Sequence, residues 1–94
     1  MLVVSEIEAD NCPYLARGVR LFWDEVRGQW FLLFPEGALV LNATALAILE
    51  RCNKSNRVSE IIAELSVRYP SSDIEGDVFF LLSRIADRGL LLFL

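Results

Sequence analysis

Histidine is absent from this chain of 94 residues. Without it the commonest general base and the commonest metal ligand are both missing. Cysteine occurs only at Cys12 and Cys52, with no CxxC spacing, so a zinc site would need carboxylates to complete it. The expectation is no metal and no cofactor, with Cys52 a buried, reduced side chain and both cysteines acting as small hydrophobes. No apolar run approaches the roughly 20 residues needed to cross a bilayer. The opening, MLVVSEIEAD, lacks the basic flank and long apolar stretch of a signal peptide, so a cytoplasmic protein with no membrane contact is expected. Positive charge is scarce: nine Lys and Arg face thirteen Asp and Glu, a net charge of −4. A nucleic-acid binder draws much of its affinity from neutralising phosphates, and this balance argues against one.

Apolar side chains, by contrast, are plentiful. They make up 54% of the chain and raise the mean hydropathy to +0.42. Either the core is dense or apolar surface is kept for a partner. The length suits one domain. Its centre is residues 18–41, GVRLFWDEVRGQWFLLFPEGALVL, which read as three short strands joined by two tight turns. In residues 19–24, Val19, Leu21 and Trp23 alternate with Arg20, Phe22 and Asp24. A hairpin connection ends at Gly28. Residues 29–34 are apolar on both faces, with Trp30, Leu32 and Phe34 on one and Phe31 and Leu33 on the other. A strand covered by helices on one side only should alternate. Its second face is therefore also covered, by the N-terminal arm, a second copy or a partner. Pro35-Glu36-Gly37 turns the chain into a short, uncharged third strand, residues 38–41.

Residues 1–17 have no clear period and are interrupted by Pro13, so they read as an arm leading into a domain over residues 18–94. The apolar residues 2–4 and Ile7 are candidates to pack somewhere. After the strands the pattern turns helical. Asn42 is placed to cap a first helix that buries Ala45, Ile48, Leu49 and Cys52. A second, residues 58–69, has the stripe Val58, Ile61, Ile62, Leu65 and Tyr69, and Pro70 ends it. Ser72 and Glu75 have capping-box spacing for a third, with core stripe Ile74, Val78, Leu81, Leu82 and Ile85 and a stop at Gly89. The closing LLLFL is an apolar tail that can form a short strand. The fold class is α+β: a three-stranded antiparallel meander followed by three helices, like a winged-helix domain with its wing placed first.

Three function classes can be weighed against this frame. Catalysis lacks a base, a metal set and a phosphate loop, and the acidic pairs Asp24-Glu25 and Glu75/Asp77 read as solvated surface, so no catalytic residue is assigned and no enzyme is expected. A DNA-binding regulator would need a basic helix face. Here Arg68 faces Glu60 and Glu64, while Arg84 and Arg88 share their helix with Asp73, Glu75, Asp77 and Asp87. Peptide binding fits best. The third strand is a sheet edge with no charge, proline or bulge inside it, open to strand addition. The third helix can wall a groove through Phe79, Leu82 and Ala86, although periodicity reads Phe79 and Leu82 equally well as core.

An ordered set of residues then resembles the coenzyme PQQ synthesis protein D family. It comprises Pro13 and Leu15, Gly18-Val19-Arg20-Leu21, Asp24, Arg27, Leu32-Leu33, Pro35-Glu36, Leu41-Asn42, Cys52, Val58-x-Glu60-Ile61 and Asp87-x-Gly89-Leu90-Leu91. The resemblance implies a RiPP recognition element, a winged-helix-like domain that binds the leader of a ribosomally made peptide. In that family the ligand is the precursor peptide PqqA, presented by the protein, a peptide chaperone, to the radical SAM enzyme PqqE. Related elements serve lasso-peptide and other RiPP pathways. Carried onto this chain, the resemblance implies peptide-binding residues Leu39, Val40 and Leu41 with Val78, Phe79 and Leu82. It also gives the second face of the middle strand and the LLLFL tail a use, as a contact for PqqE or for a second copy in a homodimer. Two departures stand out. Arg57 replaces the Thr or Ser common in relatives, so another group must cap the second helix. Lys54-Ser55-Asn56 stands where a Gly-containing turn is common.

Overall fold

The structure is a computed structural model and describes residues 7–94. Along the chain lie β1 (Pro13–Leu15), β2 (Arg20–Asp24), β3 (Gln29–Phe34), β4 (Gly37–Leu41), α1 (Ala43–Glu50), α2 (Val58–Arg68), α3 (Ile74–Asp87) and β5 (Leu91–Phe93). The meander β2-β3-β4 is antiparallel with β3 in the middle, as two consecutive tight turns imply. Leu32 sits opposite Leu21 and Leu39, and Phe31 sits opposite Phe22 and Val40. Opposed residues share a face. One face therefore carries Leu21, Leu32 and Leu39 toward the helices, while the outer face carries Phe22, Phe31 and Val40.

The core forms where the three helix stripes meet the centre of the sheet. Leu32, Val58, Ile61, Leu65, Val78 and Leu82 are wholly buried, and Ile48, Leu49, Ile74 and Ile85 nearly so. Each such side chain contributes about 1.5–3 kcal/mol relative to exposure. Ala45 does not join them: it is half-buried at the start of α1, because the buried stripe of that helix is Ala47, Ile48 and Leu49. Between α1 and α2, the Arg51 guanidinium bonds the Glu64 carboxylate at 2.9 Å. It also donates to the Ala47 carbonyl at 2.7 Å. The pairing holds the Glu64 carboxyl below its ordinary range.

Helix ends follow the sequence in part. Asn42 caps α1, its side chain accepting from the Ala45 amide at 2.8 Å. Asp73, not Ser72, caps α3, accepting from the Gly76 amide at 3.1 Å. Its carboxylate folds into the space a Cβ on Gly76 would need, which accounts for a glycine in the first turn of a helix. Arg57 precedes α2, and its own amide donates to Glu60 at 2.7 Å. The next two amides are capped from far away in sequence. Val58 donates to the Asn11 carbonyl at 2.9 Å and Ser59 to the Ala9 carbonyl at 3.0 Å. Lys54 takes the left-handed backbone, φ 76°, that a glycine would adopt more easily.

Residues 13–15, expected only as part of an arm, form a strand paired antiparallel with β5, so the apolar tail is a strand with a partner inside the chain. The ladder continues through reciprocal bonds between Cys12 and Leu94, at 3.1 and 2.9 Å. Pro13 fits as the first, buried residue of its strand. Ile7 is half-buried against the core. Residues 2–4, also expected to pack, lie outside the described residues. Burial pushes the Cys52 thiol up to about 12, which keeps it protonated and inert. Among the described residues no helix is long and apolar enough to cross a membrane, and no group of three or more Cys, Asp or Glu is placed to hold a metal.

Candidate functional site

Among the described residues, the far edge of β4 pairs with no other strand. Phe34 and Gly37 are opposite each other and close the two-residue turn between β3 and β4. Counting from that pair, the antiparallel alternation directs the backbone N–H and C=O of Ala38 and Val40 to the open edge. Beside this edge lies a groove of about 320 Å³, near the lower end of the roughly 300–1,000 Å³ typical of ligand sites. Leu32, Leu39, Leu41, Ile48 and Ile85 form its apolar floor, and α3 is the opposite wall.

The wall on α3 is built by Asp77, Phe80, Leu81, Arg84 and Arg88. Their spacings of 3, 4, 7 and 11 define one helical stripe. It lies beside the buried stripe Ile74, Val78, Leu82 and Ile85. The helix residues implied by the family resemblance are thus placed elsewhere. Val78 and Leu82 are wholly buried in the core, and Phe79 is half-buried against it, outside the groove. On the strand side Leu39, Val40 and Leu41 all line the groove. Phe80, overlooked in the sequence, is 65% exposed, and the Arg84 guanidinium stacks over its ring at 5.5 Å. A pattern of one aromatic flanked by charges at helical spacing was the available signal.

Orientation follows from Arg88, whose guanidinium lies 5.2 Å from the centre of the Phe34 ring. Phe34 faces Gly37, so the C-terminal end of α3 lies at the start of β4. Asp77 therefore lies toward Leu41 and the start of α1. The stripe from Asp77 to Arg88 rises about 16.5 Å, comparable to the length of β4 at about 3.4 Å per residue. An extended segment of about five residues can lie between them.

The outer face of the sheet is a second apolar surface. Phe22 is 38% and Val40 60% exposed, with half-buried Phe31 between them. Arg20 stacks over Phe22 at 5.4 Å. The described part of the arm engages the tail, Lys54 and the start of α2 through its backbone bonds.

Comparison with known proteins gives consistent matches. Residues 29–91 match the family described as "Coenzyme PQQ synthesis protein D (PqqD)". A protein of Xanthomonas campestris pv. campestris (strain B100) named "PqqA binding protein" is 37% identical over 90 residues, covering 94% of this chain and 98% of its own. A protein of the same name from Azotobacter vinelandii is 37% identical over 87 residues, covering 92% and 95%. Among solved structures, the solution structure of the PqqD truncation of Methylobacterium extorquens PqqCD, described as a functional and stand-alone RiPP recognition element, matches with a TM-score of 0.78. It is 34% identical, over 94% of this chain and 96% of that one. The crystal structure of PqqD from Xanthomonas campestris matches with a TM-score of 0.54 and 34% identity, over 89% and 96%.

Proposed function

The chain belongs to the coenzyme PQQ synthesis protein D (PqqD) family, and from that membership we propose that it binds the precursor peptide PqqA by strand addition to β4. One observation carries the reading: the unpaired edge of β4 runs beside an apolar groove walled by α3. Each backbone bond to an added strand is worth about 0.5–1.5 kcal/mol net, and each apolar anchor about 1.5–3 kcal/mol. After the cost of ordering a flexible peptide, micromolar affinity is within reach.

Calorimetric titration of the protein with PqqA, repeated with Val40→Pro, tests this. Proline removes a donor aimed at the open edge and leaves the β3–β4 ladder intact. The expected result is micromolar or tighter binding that falls at least tenfold in a folded Val40→Pro variant. Equal binding by the two proteins would rule out strand addition at this edge. No binding by the intact protein would turn the reading toward another ribosomally made precursor.

The second part of the proposal is presentation of the bound peptide to the radical SAM enzyme PqqE. The outer sheet face, around exposed Phe22 and half-buried Phe31, is an apolar surface available for that contact while the groove is occupied. A Phe22→Ser variant is expected to fold, keep PqqA and lose co-elution with PqqE. Undiminished co-elution would remove this face from consideration.

A further inference from the structure

The groove is polar in the electrical sense. Asp77 stands at one end of its helical wall, and Arg84 and Arg88 at the other. Both arginines are exposed, and among the described residues each guanidinium lies over an aromatic ring. Neither of the ion pairs seen among the described residues, Arg27–Asp24 and Arg51–Glu64, involves a groove arginine. Their two rings, Phe80 and Phe34, fix the direction of each guanidinium without neutralising it. The spacing also suits a strand. Arg84 and Arg88 are about 6 Å apart along the helix axis, whereas same-face side chains of a strand are about 6.8 Å apart.

We propose that this groove selects an extended segment with one or two acidic side chains facing Arg84 and Arg88 and an apolar side chain resting on Phe80 and Leu81. This deepens the strand-addition reading and rests on it. The acidic end of the ligand lies at the Gly37 end of β4, where Phe34 and Arg88 meet. At the other end, Asp77 disfavours a carboxylate and sets the register by repulsion. The rule holds whether the added strand runs parallel or antiparallel to β4. The protein thereby binds an acidic peptide despite its own net charge of −4.

PqqA is the probe. Titrate it onto the full chain, onto Arg84→Glu/Arg88→Glu, and onto Val40→Pro, following tryptophan fluorescence and calorimetry. Reversing both charges turns two weak attractions into repulsions, and about a tenfold loss of affinity is expected. A PqqA in which the acidic side chains are changed one at a time to Lys should regain affinity for the double variant in at least one case. Raising the salt concentration should weaken binding to the intact chain. If the double variant binds PqqA within twofold of the intact chain while Val40→Pro does not bind, the charge assignment is wrong and strand addition stands. If the intact chain fails to bind PqqA, the strand-addition reading itself fails. Far-UV dichroism checks folding. Should the double variant unfold, Arg84→Gln/Arg88→Gln takes its place, with a loss of a few-fold and a flatter salt dependence expected, and unchanged affinity and slope overturning the assignment.

Discussion

Phe80 and Leu82 are two positions apart on one helix and have opposite environments: the first is 65% exposed on the groove wall, the second wholly buried. Leu82→Ala removes methyl groups from the packed core and is expected to lower unfolding free energy by about 2–5 kcal/mol, leaving PqqA affinity of the folded protein unchanged. Phe80→Ala should change stability by no more than about 0.5 kcal/mol and weaken the peptide. Denaturant unfolding and titration of both variants check this. Reversed roles would mean that α3 meets its ligand through the stripe Val78 and Leu82. At this scale the sequence is readable up to one ambiguity. Periodicity places Val78 and Leu82 on an apolar stripe, but a groove wall and a core stripe on one helix differ by about 100° of rotation. Apolarity marks the core more strongly than the groove, so the charged wall was missed.

Among the elements, the helices and the meander are legible because each is decided locally, by a 3.6- or 2-residue period and by turn residues such as Gly28 and Pro35-Glu36. The short strands β1 and β5 are not. Three residues give no period, and their pairing joins opposite ends of the chain. The cap of α2 is hidden for a related reason. The Ala9 and Asn11 carbonyls supply it, and a backbone acceptor has no side-chain signature. The departure at Arg57 does predict that some outside group must do this. Deleting residues 1–11 removes both acceptors, each cap being worth about 1 kcal/mol, so a loss of about 2 kcal/mol is expected, with added loss from Ile7. Thermal and denaturant melts measure it. A truncated chain as stable as the full one would mean that water replaces the arm at these amides.

Taken whole, the molecule divides its surfaces around β4. The backbone edge of Val40 faces the groove while its side chain lies on the outer sheet face opposite Phe31. A strand bound at that edge would extend both surfaces at once. The two-stranded ribbon β1–β5 stands apart from that arrangement, with Cys12 hydrogen-bonded to Leu94 at one end and Ala16 to Leu90 at the other. Because the ribbon is antiparallel, the chain enters and leaves it at the same end. Tension applied through residues 12 and 94 therefore opens it like a zipper, one bond at a time beginning with the Cys12–Leu94 pair, instead of shearing all its bonds together. Mechanically, this is the weakest way to load such a ribbon. The first thing to give under such pulling is the β1–β5 seam.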